Sequence, residues 1–263
     1  MEDAKKSLGQ HWLTDVEALE AIAEAAEIKP SDTVLEIGPG LGNLTNYLVK
    51  QARHVIAVEL DEQLAAKLPE RVGAANLSVV RADILKFDLN DLPGGYKVVA
   101  NIPYYLTSNL IRRLSEAANP PKLMVLLVQK EVAGRICAKA GQMSVLAVSA
   151  QLYYEAELGI EVPNEFFKPV PKVDSQVVVL SRHTKPLFKG LDTERYFRVV
   201  KAGFSERRKK LRSSLSGGLG IDKIQADQLL KKAGINGDQR AQELSLSDWY
   251  KIYTALPEKY LTC

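Results

Sequence analysis

Between Thr33 and Asn101 the sequence places four short apolar runs, each followed by a stretch of different period. They are Thr33-Val34-Leu35-Glu36-Ile37, His54-Val55-Ile56-Ala57-Val58, Leu77-Ser78-Val79-Val80 and Tyr96-Lys97-Val98-Val99-Ala100. Short runs this rich in β-branched residues read as strands buried on both faces. After the first strand, Asn43 to Gln51 predicts a helix, and after the second a helix carries Leu64, Ala65 and Leu68. Strands alternating with helices at this spacing predict an α/β fold, a mostly parallel Rossmann-like sheet covered on both sides.

The flanking segments extend this plan. Val16, Leu19, Ile22 and Ala23 recur at helical spacing from Asp15 to Glu27, with Asp15 as a cap and Pro30 beyond the end. Lys122 to Val128 continues the sheet and Gln129 to Lys139 reads as a helix. Leu152 to Val162 and Gln176 to Ser181 are the last strands, joined through a surface loop with Pro163, Pro169 and Pro171. Beyond His183 the character changes. Pro186 and Gly190 punctuate the chain, and helices are expected over Thr193–Ala202, Glu206–Ser214, Asp222–Lys232 and Ser247–Ala255. The expected domains are residues 1–184, the α/β sheet, and 185–263, a small helical domain.

Composition sets the outer bounds. Hydrophobic residues at 46% and charged residues at 25% suit a packed core and exclude a disordered chain. A net charge of +3 is too small to establish a polyanionic partner, so a local cluster must carry that argument. Cys137 and Cys263 lack any metal-ligand spacing, and no metal is expected. The polar stretch from Met1 to Gly9 is no secretory signal, and no apolar run is long enough to cross a bilayer. A cytoplasmic chain is therefore expected.

In an open α/β sheet, ligands bind beyond the carboxyl ends of the strands. Here those ends carry Gly38-Pro39-Gly40, Glu59, Asp83 and Asn101. A glycine turn lets backbone approach a ligand closely. Glu59 is placed to accept hydrogen bonds from ribose hydroxyls, and Asp83 from an adenine amino group. Each also has a plainer reading: a tight connection, a helix-starting acid, an N-cap. Their occurrence together, in this order, favours a nucleoside-containing cofactor. A nicotinamide dehydrogenase would share the first two.

Asn101-Ile102-Pro103-Tyr104 separates the two classes. An adenine amino nitrogen is a poor nucleophile, because its lone pair is delocalised into the ring. The Asn101 side-chain oxygen and the Ile102 carbonyl would accept its two hydrogens and localise that lone pair for attack on a sulfonium methyl. Pro103 stiffens the main chain so that the carbonyl is preorganised. Tyr104 offers a face on which a flipped-out base can stack. No strong general base is required, since the methylated ammonium loses its proton readily to water.

Gly9-Gln10-His11-Trp12-Leu13, Glu36-Ile37-Gly38-Pro39-Gly40, Asn101-Ile102-Pro103-Tyr104 and Phe167-Lys168-Pro169-Val170-Pro171-Lys172-Val173-Asp174-Ser175 resemble the motifs of the ribosomal RNA adenine N6,N6-dimethyltransferases, the KsgA family. Phe204-Ser205-Glu206-Arg207-Arg208-Lys209-Lys210-Leu211 and Arg240-Ala241-Gln242-Glu243-Leu244-Ser245 carry the resemblance through the tail. It implies a class I methyltransferase sheet and S-adenosylmethionine as cofactor, with His11 and Leu13 touching it and Gly38, Gly40, Glu59, Asp83 and Asn101 around it. Trp12 stands where the family usually has phenylalanine, implying a larger aromatic lid. Phe167 would face Tyr104 across the target adenine. Arg207, Arg208, Lys209, Lys210 and Arg212, read as a basic helix, would neutralise RNA phosphates.

The family implies dimethylation of two adjacent adenines near the 3′ end of small-subunit ribosomal RNA. It further implies a monomer acting on an assembling ribosomal particle, with a role in subunit biogenesis. Two rivals stay open on the residues: an Erm-type enzyme acting on large-subunit RNA, and a non-catalytic nucleic-acid-binding relative.

Overall fold

The computed structural model describes Lys5 and residues 9–257, with the side chain of Tyr104 excepted. Cys263 lies outside the described residues. The chain forms two compact units, one of residues 1–134 and 154–182, the other of residues 135–153 and 183–263.

In the first unit, β1 (Trp12–Leu13) and α1 (Val16–Ala25) precede β2 (Thr33–Ile37), α2 (Thr45–Leu48), β3 (His54–Glu59), α3 (Glu62–Val72) and β4 (Leu77–Arg81). Then come β5 (Lys97–Asn101), α4 (Thr107–Glu116) and β6 (Leu123–Gln129), and later β7 (Tyr154–Val162), β8 (Phe167–Lys168) and β9 (Ser175–Arg182). The seven-stranded sheet has the order β4-β3-β2-β5-β6-β9-β7. Strands β2 to β6 pair in parallel, whereas β9 is antiparallel to both β6 and β7. Val34, Leu35, Val98, Val99 and Met124 to Val128 are buried, as expected for strands covered on both faces. The winding direction reverses between β2 and β5, where Ile37 pairs with Ala100. That reversal opens a crevice beyond the strand ends, and Gly38 and Asn101 stand at its two sides.

Asp15 caps α1 by accepting from Ala18 N at 2.9 Å, as its place before the apolar period predicted. The helix expected over residues 43–51 is shorter, since turns flank the four residues of α2. Helix α4 was passed over in the sequence, although Leu110, Ile111 and Leu114 recur there at helical spacing and are fully buried along one face. Among the described residues no helix is long and apolar enough to cross a membrane.

A buried ion cluster closes the base of the sheet. Asp32 receives Lys97 Nζ at 3.0 Å and Lys122 Nζ at 2.6 Å, and Lys29 N at 3.0 Å. Burial opposes its ionisation, but the bonds from Lys122, Lys29 and Lys97 outweigh that and hold the pKa at about 2. A carboxylate whose pKa is depressed on folding stabilises the native state above its unfolded pKa and loses that contribution as pH falls through the folded one. We expect about 2 kcal/mol of stability to disappear between about pH 4 and pH 2. Denaturant unfolding across this range checks it, and an unchanged decline in Asp32→Asn would reject the assignment.

The second unit holds α6 (Val145–Gln151), α7 (Thr193–Phe204), α8 (Leu211–Leu219), α9 (Lys223–Ala233) and α10 (Leu246–Ala255), after α5 (Lys130–Ile136) has carried the chain out of the sheet. Its core centres on the fully buried Trp249, which packs on Phe204 at 5.4 Å between ring centroids. The later boundary, at 182/183, lies two residues from the expected 184/185, but residues 135–153 were expected in the sheet domain and belong to the second unit. The reason is packing: Ala147, Val148 and Leu152 bury their apolar surface in one cluster with Tyr196, Val199 and Trp249.

A second correction concerns the basic run. Residues 205–210 form turns, and α8 begins only at Leu211. The amides of Leu211 and Arg212 donate to the carbonyls of Gln239 (2.7 Å) and Gly237 (3.2 Å), so tertiary bonds cap the helix there. The run from Glu206 to Lys210, with four adjacent cations, has little reason to continue it upstream.

Candidate active site

The crevice is a cavity of about 230 Å³. Of the residues expected at a site, His11, Gly38, Gly40, Glu59, Asp83, Asn101 and Pro103 line it together. They arrive from four strand ends and from the segment before β1, which is separated from β5 by most of the first unit's sequence.

Glu59 is buried at the end of β3 and held by the main chain. Its Oε2 accepts from Gly40 N at 3.1 Å and its Oε1 from Asp61 N at 2.8 Å. Burial raises its pKa, against backbone bonds, those from Asp61 and Gly40 foremost, that favour the charged form. A carboxylate oxygen has lone pairs beyond those two bonds, so Glu59 can still receive hydroxyl donors. Asp83 Oδ1 accepts from Leu85 N at 2.9 Å. The capping and ligand-binding readings of Asp83 are thus compatible, because its carboxylate has a second oxygen.

Gly40 has φ +58°, and a Cβ built there would lie 2.8 Å from Trp12 Cδ1 and 2.9 Å from its Nε1. The indole therefore rests directly on the glycine turn. Trp12 also borders a neighbouring cavity of about 30 Å³, together with Glu36, Gly38 and Asn101. Glu36 was read as part of a strand and of the glycine-turn motif, with no role assigned to its carboxylate. It is wholly buried, its Oε2 has no hydrogen-bond partner among the described residues, and burial beside Glu59 raises its pKa to about 8. Enclosure thus favours its protonated form, a bias that strand periodicity could not reveal.

Asn101 ends β5 with its side chain already oriented. Nδ2 donates to the His11 carbonyl at 3.0 Å. Oδ1 has no bond among the described residues and is left to accept at the cavity. Ile102 is buried and its amide donates to the Leu127 carbonyl at 3.3 Å, so β6 holds the loop from behind. Pro103 leads into a single 3₁₀ turn over Tyr104–Leu106. The Tyr104 side chain, the expected stacking surface, lies outside the described residues.

Two expectations need correcting. Leu13 is buried and pairs with Phe167 across β1 and β8; it reaches the small neighbouring cavity, not the main one. Phe167 is 1% exposed and packs with Leu13, Leu19 and Val177. Its ring is enclosed by core side chains and is not at the wall of the main cavity. Tyr105, which sequence reasoning passed over, is an aromatic of the cavity lining and is 64% exposed. Its signal was an aromatic repeated directly after Tyr104.

The basic run is partly neutralised within the second unit. Lys209 pairs with Glu206, and Lys210 and Arg212 share Asp238. Arg207 and Arg208 have no ion pair among the described residues. Arg207 and Arg135 border a second-unit cavity of about 230 Å³ with Met143 and Phe204.

The described lining suits a nucleoside carrying a charged arm: glycine backbone at one strand end, two carboxylates at the next two, and an oriented amide at the fourth. Residues 1–258 match the family model described as ribosomal RNA adenine dimethylase. A ribosomal RNA small subunit methyltransferase A from Dehalococcoides mccartyi is 42% identical over 261 residues, covering 97% of this chain and 90% of the relative. The solved structure of the 23S rRNA methyltransferase ErmE is 32% identical, with a TM-score of 0.76 over 93% of this chain and 99% of that one. A dimethyladenosine transferase from Plasmodium falciparum is 28% identical, with a TM-score of 0.80 over 91% of this chain and 95% of that one.

Proposed function

Because the chain belongs to the ribosomal RNA adenine dimethylase family, we infer that it dimethylates the N6 amino groups of two adjacent adenines near the 3′ end of small-subunit (16S) ribosomal RNA. Small-subunit RNA is preferred because the 42% identical relative is named for that subunit, whereas the large-subunit enzyme ErmE is 32% identical.

When bound, S-adenosylmethionine supplies an electrophilic methyl group on a sulfonium. Glu59 accepts from the ribose hydroxyls, Asp83 accepts from the adenine amine, and the Gly38–Gly40 turn admits the ligand against bare backbone. Asn101 Oδ1 and the Ile102 carbonyl accept the two hydrogens of the target amino group, which localises its lone pair toward the methyl. The observation that carries this reading is the tethered Asn101 amide, with its nitrogen bonded and its oxygen left to accept. Pro103 restricts the loop, so the acceptors need no reorganisation as positive charge develops on the amine. Tyr104 stacks on the flipped base.

Arg207 and Arg208 contact phosphates, and Lys209 and Lys210 join them by exchanging carboxylate partners for RNA. The working form is a monomer in the cytoplasm, acting on an assembling small subunit and thereby marking a stage of its biogenesis.

Incubation with undermodified small subunits and labelled cofactor, followed by mapping of the modified bases, tests the reading. Two dimethylated neighbouring adenines in small-subunit RNA are expected. A mark confined to large-subunit RNA would establish the Erm-type alternative instead. Tight particle binding with no transfer would establish the non-catalytic one.

A further inference from the structure

We propose that His11 is a positioning residue: its imidazole fixes the main-chain carbonyl that orients the Asn101 amide, and so sets the reactivity of the catalytic loop. The proposal rests on the reading of Asn101 as acceptor for the target amine.

Two hydrogen bonds carry it. His11 Nδ1 lies 2.7 Å from the Pro169 carbonyl oxygen. A carbonyl can only accept, so Nδ1 bears the hydrogen whatever the state of the other ring nitrogen. The carbonyl of the same residue accepts Asn101 Nδ2 at 3.0 Å. A continuous path therefore runs from the proline-rich loop, through the ring and one residue of main chain, to the catalytic amide.

The amide needs such a tether. Its terminal torsion is broad and close to two-fold, so packing alone selects poorly between its two orientations. Inverted, it would present two N–H donors to an amino group that must itself donate. Binding Nδ2 to a carbonyl removes that orientation and turns Oδ1 to the substrate.

The flanking residues are held by other groups, which isolates the task of the ring. Gln10 Nε2 reaches Asp61 Oδ2 at 3.4 Å, and the Leu13 carbonyl accepts Asn43 Nδ2 at 2.7 Å. Trp12 pairs with Lys168 across β1 and β8. These contacts fix the path of the segment on either side. The His11 ring ties down the residue whose carbonyl Asn101 uses, and it does so by bonding to the proline-rich loop at Pro169.

The test uses the full chain and undermodified small subunits, comparing His11→Ala and His11→Asn for single-turnover rate and for cofactor dissociation constant by equilibrium dialysis. His11→Ala should lower the rate at saturating cofactor at least about tenfold, since small misplacements of a reacting group are costly. His11→Asn, whose side-chain N–H can replace Nδ1–H, should recover to within about threefold; because His11 also lines the cofactor cavity, each rate is compared at cofactor concentrations that the dialysis shows to be saturating for that variant. In an Asn101→Ser background, which lacks the amide, His11→Ala should cost less than about twofold, because residues acting through one another are not additive.

Full rate in His11→Ala overturns the proposal. So does a loss explained by weaker cofactor binding, or an equal loss in the Asn101→Ser background. The underlying reading fails separately, if Asn101→Ser alone transfers at the parent rate.

Discussion

Replacing Asn101 by alanine is expected to lower methyl transfer about a hundredfold to a thousandfold, the range seen when one preorganised polar group is removed from a developing charge. Affinity for the small subunit should change by less than about twofold, because the residue contributes one short side chain to a large polyanionic interface. Two effects act together. The acceptor for the amine is lost, and the His11 carbonyl loses the Nδ2 donor that now lies 3.0 Å away. Asn101→Asp should also be deficient, since a carboxylate keeps acceptors but turns one of them against the His11 carbonyl. Single-turnover transfer and quantitative subunit binding, measured on the same preparations, separate chemistry from docking. Loss of binding in step with transfer would assign Asn101 to RNA recognition instead.

The second large effect is expected at Gly40. Alanine there must adopt φ +58°, which costs about 1–2 kcal/mol for a residue with a Cβ. The same Cβ would stand 2.8 Å from Trp12 Cδ1, closer than real carbon contacts allow, so the indole must move. Displacing it disturbs the turn whose amide holds Glu59 Oε2. We expect the cofactor dissociation constant to rise at least about tenfold, the equivalent of 1.4 kcal/mol. Equilibrium dialysis with labelled cofactor checks this. Trp12→Ala in the Gly40→Ala background should recover part of the loss by removing the collision. If it recovers nothing, backbone strain alone is responsible and Trp12 does not lean on the turn in solution.

Much of the first unit was legible because its signals are local. Each strand of the parallel core is a short, mainly apolar run; Glu59 and Asn101 stand one residue beyond such a run and Asp83 three. Glu59, Asp83 and Asn101 could therefore be placed at one edge before any coordinates. What stayed hidden depends on contacts distant in sequence. The His11–Asn101 bond joins residues with |i−j| of 90, and no periodicity encodes it. Phe167 looked like a site residue from its motif, yet the pairing of Leu13 with Phe167 turns that ring into the core. The basic run at Arg207 to Lys210 has helical composition but no helix, since the amides that start α8 are satisfied by Gly237 and Gln239. Glu36 shows the same limit from the energetic side. A glutamate within a strand motif gives no indication of whether it is charged; the enclosure around it does.

The interleaved connectivity of the two units bears on synthesis. Residues 135–153 belong with the helical unit, yet they emerge from the ribosome before β7 and β9 have completed the sheet. Until Tyr196, Val199 and Trp249 are made, Ala147, Val148 and Leu152 lack most of the apolar cluster that covers them. A nascent or shortened chain ending near Arg182 would carry that adhesive helix uncovered, making it a target for holdase chaperones and self-association. Preparing the sheet unit alone thus requires excising the excursion as well as the tail, with a short linker joining the cut ends.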